Sequence, residues 1–469
     1  MRKLTFLLII ALALASCDTD SPTEPVTLPN APSELSATTV SWNSISLNWQ
    51  DNSNNESYFL IERKPTLDSV GWADVAHVAG AVTLLDTGLA AQVSYSYRVA
   101  AYNSAGVSAF TTEAACSTGE AGVILWRKNF YFDEESETYG FAKCRDEGFV
   151  VLGRGYASVL GRDSLYVKRM DNMGMEVWSK GFDFDFDTDK PYDAAEAEDG
   201  SIYVVGDSDD GFSRTEGLVL KLTAAGDLVW HRNIGLANYY QQLSSIAILT
   251  DGSIIVGGTK MRTGSYDNNG WLMKVSAQGE RVWEKTFPQS EEYWIHDIAA
   301  LPDGAFVTAG LSLAKFNSAG TRLWAVGFVD ELVLLTGVDV ADNGNIAVSG
   351  WQIGSDSRQD NGFAALVDAS GRTIWKRAID RSGNEDQLTG IEVLRDGEIV
   401  AVGATDVPEN GQDAWVVRLA ADGTELWQTS FGQPVWADYF LGVESTSDGG
   451  FVACGGESRG GGMLIKFER

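Results

Sequence analysis

Three kinds of residue in this chain have the type and spacing to do chemistry. The first is one thiol, Cys17, set directly after Leu14, Ala15 and Ser16. The second is a column of acids. Seven similar segments aligned on their turns read Ala142, Ala195, Ala247, Ala299, Asp339, Glu392 and Glu444 at one position. Carboxylates on neighbouring segments need water, a proton or a cation between them. Calcium takes oxygen ligands of this kind, so Asp339, Glu392 and Glu444 are candidate metal ligands. A solvated acidic wall is the plainer alternative. The third kind is aromatic. Tyr139, Tyr192, Tyr293, Trp294, Trp436 and Tyr439 fall in long, acid-rich loops and are candidate ligand-binding residues. Aromatic faces beside acid acceptors suit a sugar ring or a peptide, and packing of loop on loop is the alternative. No catalytic residue is assigned. His77, His231 and His296 are far apart in the repeat, and no zinc-protease, nucleophile-elbow or phosphate-loop pattern is present. A carboxylate-pair glycosidase stays open, because acids are plentiful and their pairing is invisible in a sequence.

The start of the chain places Cys17 in context. Arg2 and Lys3 precede an apolar run, residues 4–14. That run is too short for a spanning helix, which needs about 20 apolar residues. With Leu14-Ala15-Ser16-Cys17 behind it, the segment resembles a bacterial lipobox. The resemblance implies that residues 1–16 are a signal peptide removed on export, and that Cys17 takes a diacylglycerol. Acyl burial contributes about 0.8 kcal/mol per methylene, so several chains anchor a protein without a transmembrane helix. Residues 17–28 then form a polar tether. The expected location is extracytoplasmic, on the outer membrane or cell surface, with the membrane as one partner.

Composition bounds the rest. Hydrophobic residues at 44% and aromatics at 11% describe a globular chain of 469 residues, not a disordered one. A formal charge of −30 repels nucleic acid and anionic headgroups, so no nucleic-acid partner is expected. Fifty glycines against ten prolines fit many short strands joined by tight turns. Cys116, Cys144 and Cys454 have neither metal-clip nor redox-pair spacing, and an odd number leaves at least one thiol free and buried.

Residues 29–118 alternate as half-buried strands do: Ile45, Leu47 and Trp49, then Tyr95, Tyr97, Val99 and Ala101. With Asn30-Ala31-Pro32-Ser33, Asp86-Thr87-Gly88-Leu89 and Asn103-Ser104-Ala105-Gly106, they resemble a fibronectin type III domain. Tyr95 resembles the tyrosine-corner residue of such sandwiches. The expected role is a spacer.

Residues 119–469 repeat. Trp126, Trp178, Trp230, Trp283, Trp324, Trp375 and Trp427 recur at intervals of 41 to 53 residues, each four after a glycine. Asp-Gly or Asn-Gly hairpin dipeptides lie between them, such as Asp251-Gly252, each leading to a strand that ends on glycine. Four short strands in about fifty residues predict a propeller blade. The fold class expected is all-β: a fibronectin type III-like sandwich, then a seven-bladed β-propeller closed by its N-terminal strand. The Gly-x-x-x-Trp pattern is similar to the tryptophan-docking repeats of quinoprotein-like propellers, which implies that these tryptophans dock blade on blade. The quinone cofactor is not implied, since no adjacent cysteines occur. Two smaller features follow from the spacing. The 41-residue interval predicts a short loop after Gly310, and the alternating Asp and Phe of residues 182–189 predict a two-faced strand.

The function expected is a membrane-anchored binding or scaffold lipoprotein presenting a propeller to a glycan, peptide or protein partner. A secreted carbohydrate-active enzyme and a structural subunit of an envelope complex are the alternatives.

Overall fold

The computed structural model describes residues 26–66, 71–157, 162–184, 188–209, 215–236, 238–265, 267–292, 294–328, 332–354, 360–381, 383–407, 411–432, 437–457 and 460–469. The leader, Cys17, Tyr293 and Trp436 lie outside them. Every regular element among the described residues is a β-strand or an isolated bridge. Among the described residues no helix is long and apolar enough to cross a membrane. The chain splits into two compact units, residues 1–121 and 122–469.

The N-terminal unit has two sheets. Ser33–Ser41, Ser44–Gln50 and Thr83–Asp86 form one; Tyr58–Pro65 and Ser94–Asn103 centre the other. The alternating residues fill the core: Ile45, Leu47, Trp49, Phe59, Ile61, Tyr97 and Val99 are all buried. Tyr95 Oη accepts the Ala90 N–H at 3.1 Å, which ties the strand to the loop before it. A cluster around Asp86 beside it went unread in the sequence. Asp86 takes Arg63 Nη1 at 2.7 Å and the Tyr97 hydroxyl at 2.8 Å.

Among its described residues the C-terminal unit holds five four-stranded antiparallel sheets and one of eight strands; the eight-stranded one is two antiparallel halves of four, so the strands fall into seven groups of four, numbered below as sheets one to seven. In sheet one, Glu134–Lys143, Phe149–Ala157, Arg162–Met170 and Glu176–Phe182 pair in chain order. Sheets two to seven begin on Thr188–Glu196, Tyr239–Ile248, Asp297–Ala300, Val333–Val340, Asp386–Val393 and Asp438–Ser445. One parallel pair, Thr215 with Tyr240, joins sheets two and three. Sheet seven takes its fourth strand from the start of the unit: Ile124–Phe130 pairs with Gly462–Phe467. The alternating Asp and Phe run is not one strand. Glu176–Phe182 ends and Thr188–Glu196 begins within it, and buried Asp189 accepts the Phe184 N–H at 3.0 Å.

Hairpin chemistry explains the first connection of each sheet. At Asp251-Gly252, Gly252 takes φ 75° and donates to Leu249 O at 2.9 Å, while Asp251 Oδ1 accepts the Ser253 N–H at 3.0 Å. Glycine enters that left-handed region without steric cost, and aspartate caps the turn.

The core of this unit is seven apolar clusters, each shared by two consecutive sheets. One is built by sheets one and two, and the series runs on to a cluster of Phe130, Phe149, Val452 and Leu464 from sheets seven and one. Each cluster takes one of the seven recurring tryptophans. Each indole lies against the turn glycine of the next sheet: Trp126 on Gly174, Trp178 on Gly226, Trp230 on Gly279, Trp283 on Gly320, Trp324 on Gly371, Trp375 on Gly423 and Trp427 on Gly122. Trp178, Trp283 and Trp375 also donate Nε1–H to a carbonyl of that turn, at 3.2, 3.2 and 2.9 Å. Burying one such side chain contributes about 1.5–3 kcal/mol.

Candidate functional site

The first strands of all seven sheets line one cavity of about 350 Å3. A local irregularity decides what faces it. In six sheets the pairing of first and second strands shifts by one residue, and that residue is Tyr139, Tyr192, Ser244, Thr336, Thr389 or Leu441. His296, just before the first strand of sheet four, holds the same place. A bulge re-aims the side chain it leaves unpaired, and all seven residues line the cavity. The bulge also accounts for the recurring glycine of the second strands, which run on past it, as Ile202–Asp209 does beyond Gly206, rather than ending there as expected. A Cβ on Gly206, Gly258, Gly350 or Gly455 would lie within 2.0 Å of the carbonyl oxygen that precedes the bulge.

The bulge residues are held by their neighbours. Ser244, Thr336 and Thr389 donate to carbonyls of the next sheet, Ile295 at 2.5 Å, Leu388 at 2.6 Å and Phe440 at 2.8 Å. Tyr139 donates to Glu137, and Tyr192 to Asp207 Oδ2 at 3.1 Å; their rings meet edge to face, 5.7 Å apart. Trp294 donates to Ser244 Oγ at 3.2 Å and stacks on His296 with centroids 5.1 Å apart. Burial lowers the His296 imidazole to about 4, so it is neutral at physiological pH. Tyr439 is turned to Gly456 and does not line the cavity. Of the aromatic candidates, Tyr139 and Tyr192 face it and Trp294 supports it. Sequence reading missed Ser244, His296, Thr336 and Thr389; the recurring second-strand glycine was the available signal.

Below the bulges runs a ring of carboxyl groups. The strand pairing puts Ala142, Ala195, Ala247, Ala299, Asp339, Glu392 and Glu444 at one register position, as the turn alignment requires. Two residues earlier, on the same strand face, the column reads Gly140, Asp193, Ser245, Asp297, Gly337, Gly390 and Gly442. Sheets two to four therefore carry their oxygen at one level and sheets five to seven one step along. Packing explains the step. A Cβ on Gly390 would lie 2.9 Å from Gly442 Cα, so the strands there meet too closely for a side chain.

Each of these oxygens reaches the next sheet. Asp193 accepts Ile246 N–H at 2.9 Å and Ser245 Oγ accepts Ile298 N–H at 3.1 Å. Asp297 accepts Val338 N–H at 2.8 Å, and Asp339 accepts Val393 N–H at 2.8 Å. Glu392 accepts Ser445 N–H at 3.1 Å, and Glu444 accepts Lys143 N–H at 3.3 Å, which returns the series to sheet one. Asp339 and Glu392 are electrostatic neighbours: after desolvation, the Asp339 charge is what raises Glu392 most. The groups keep part of their surface toward the cavity but lie far from bulk water. Desolvation, then the Asp297 charge, pushes Asp193 up to about 7; desolvation, then Asp339, pushes Glu444 up to about 8. Asp297, Asp339 and Glu392 move the same way.

The calcium expectation meets this arrangement directly. Oxygens of Asp339, Glu392 and Glu444 are engaged with backbone N–H groups, and no three acidic, histidine or cysteine side chains among the described residues form a group that could hold a metal ion. The three do not fit a calcium site, and no chemistry is routed through one.

Elsewhere, Glu292, between sheets three and four, is buried, accepts the Leu311 N–H of sheet four's short connection at 2.6 Å, and is pushed by desolvation to about 7. Cys116, Cys144 and Cys454 are free thiols; Cys144 and Cys454 are buried, and burial raises both.

Residues 30–117 match the fibronectin type III domain family and form such a domain. Solved structures similar to this region include an Fn3-like protein from Clostridium thermocellum, 22% identical over 21% of this chain and all of that one, with a TM-score of 0.18. A fibronectin-type domain of Drosophila Lar is 20% identical over 20% of this chain and all of its own, TM-score 0.18. A titin fragment is 23% identical over 20% of this chain, TM-score 0.18, and the match spans 33% of that fragment. No curated protein matches the chain.

Proposed function

We propose that this protein is an extracytoplasmic, lipid-anchored binding protein in which residues 122–469 form a seven-bladed β-propeller that presents its central cavity to a neutral glycan. Three contact series support the propeller: tryptophan on turn glycine, apolar cluster between sheets, and carboxyl oxygen on backbone N–H. Each of the first two runs through seven sheets and returns to its start. The fibronectin type III domain is the spacer, and Cys17 the anchor.

The observation that carries the binding reading is the ring of bulge residues. It aims two tyrosines, hydroxyls and a neutral histidine at one cavity of about 350 Å3, within the range of about 300–1,000 Å3 typical of small-molecule sites. The acids favour binding over hydrolysis, because their oxygens hold sheets together. The neighbouring carboxyls of Asp339 and Glu392, both raised by burial, are the one feature that favours a carbohydrate-active enzyme.

A glycan array probed with the purified full chain tests the reading. Binding without turnover is expected, and Tyr192→Ala or Trp294→Ala should weaken it at least tenfold. Turnover lost in Asp339→Asn would replace it with the enzyme. No bound glycan, with co-purifying envelope proteins, would replace it with a structural role. Cys17→Ala should move the protein from the membrane to the soluble fraction; unchanged membrane retention would remove the anchor.

A further inference from the structure

The bulge ring decides which kind of hydrogen bond the central cavity has left to offer. Five of its seven residues carry a hydroxyl. Ser244, Thr336 and Thr389 donate to the carbonyls of Ile295, Leu388 and Phe440, and a carbonyl can only accept. Tyr139 donates to Glu137, and Tyr192 to Asp207. All five protons are therefore spent inside the protein. What each oxygen has left for a ligand is a lone pair.

Other side-chain donors are spent or absent. The Trp294 Nε1–H goes to Ser244 Oγ at 3.2 Å. Among the described residues no lysine, arginine, asparagine or glutamine lines the cavity. The carboxyl groups one level below the ring accept backbone N–H groups. His296 is the exception. It lines the cavity, and its Nε2 is buried without a hydrogen-bond partner. A neutral imidazole holds one N–H and one bare nitrogen, so His296 carries the one unspent side-chain proton of the ring. A buried nitrogen left unpaired is costly, and a ligand group beside the imidazole offsets that cost.

We infer that the cavity recognises its ligand as a hydrogen-bond donor: it takes a glycan with free hydroxyl groups and rejects O-methylated, O-acetylated, sulfated and uronic forms. The inference rests on the glycan reading and adds the substituent pattern to it. A free sugar hydroxyl gives its proton to a serine, threonine or tyrosine oxygen of the ring. An ether, ester, sulfate or carboxylate oxygen sets a lone pair against a lone pair, and both stay unpaired. The anionic substituents also meet the acids below, with no lining cation to offset them. One ligand oxygen alone can accept, and it does so from His296.

A glycan array tests this with the wild-type full chain. Each neutral oligosaccharide is printed beside its O-methylated, O-acetylated, sulfated and uronic counterparts. The neutral forms should bind, and the substituted forms should bind at least about tenfold more weakly. Titration calorimetry then compares the tightest neutral binder with its monodeoxy and monodeoxyfluoro derivatives. Fluorine keeps the size of the hydroxyl and lacks its proton. At each position where the deoxy sugar loses affinity, the fluoro sugar should lose as much. One position at most should escape this rule, and His296→Phe should remove its contribution. Fluoro sugars that bind like the parent at two or more such positions overturn the inference and leave the glycan reading standing, as does equal binding of the substituted forms. No binding by any sugar on the array removes the glycan reading, and this inference with it.

Discussion

At the residue scale, the molecule is held by side-chain oxygens placed where neighbouring first strands need an acceptor. Asp297 shows the logic. It accepts Val338 N–H at 2.8 Å from one sheet and Ser245 Oγ at 3.0 Å from another. Asp297→Ala leaves the Val338 N–H buried and unpaired, at about 1–3 kcal/mol, while the Ser245 hydroxyl keeps Asp193 at 2.9 Å. Asp297→Asn keeps one acceptor and should cost less than half as much. Urea denaturation of the two variants measures this, and wild-type stability in Asp297→Ala would show that the ring is not what holds the sheets. The same groups set a pH dependence. Asp193 is raised to about 7 and Glu444 to about 8, against about 4 when unfolded. The folded chain thus keeps protons that the unfolded chain releases. Their contribution is complete below about pH 4 and is lost as pH rises through about 7 to 8. Asp251 acts oppositely: its hydrogen bond from Lys274 holds it at about 2, and that stability is lost as pH falls through about 2. The urea midpoint should therefore fall between pH 6 and pH 9, and Asp193→Asn should flatten the fall. The groups facing this ring include Lys143, Asp297, Asp339 and Glu392.

At the element scale, two kinds of glycine turn do different work. Gly252 has φ 75° and nothing within 4 Å of an added Cβ; Gly226 has φ 80° and the Trp178 ring at 2.8 Å. Alanine at Gly252 costs the left-handed backbone alone, about 1–2 kcal/mol. Alanine at Gly226 should cost at least about 1 kcal/mol more, and should change tryptophan fluorescence, because it pushes the indole from its seat. Equal losses would mean that docking contributes little. The turns and the tryptophans were legible because each repeats at a fixed place. The bulges were not. A one-residue shift in pairing leaves no hydrophobic pattern of its own, and its only trace is a glycine within the partner strand. That is why Tyr139 and Tyr192 were found as loop aromatics, whereas Ser244, Thr336 and Thr389 read as ordinary strand residues.

At the scale of the whole molecule, the first strand of the C-terminal unit completes its last sheet. Removing Ile124–Phe130 uncovers the edge of Gly462–Phe467, where Met463, Leu464 and Ile465 are buried, and takes away the Trp126 contact to Gly174. An unpaired apolar edge invites another chain. Size-exclusion chromatography should show association, with a lower and broader melt. A monomer that melts like the full chain would mean that the sheets do not depend on this strand.

The sequence by itself determined the local elements. Alternation fixed the sandwich strands around Ile45, Leu47 and Trp49, and Asp-Gly pairs fixed the hairpins, because both act between residues near in the chain. It also determined the register of the acid column, since each strand is counted from its own turn. What the acids do was decided only by tertiary structure. Asp339, Glu392 and Glu444 read as ligands waiting for a cation, and they are acceptors for N–H groups on other sheets, 54, 53 and 301 residues away. Asp193 and Asp297 went unread because they sit two residues earlier, where Gly337 and Gly390 leave no room for a side chain in sheets five and six. The distance between two strands of different sheets is set by everything packed behind them. No local pattern carries it.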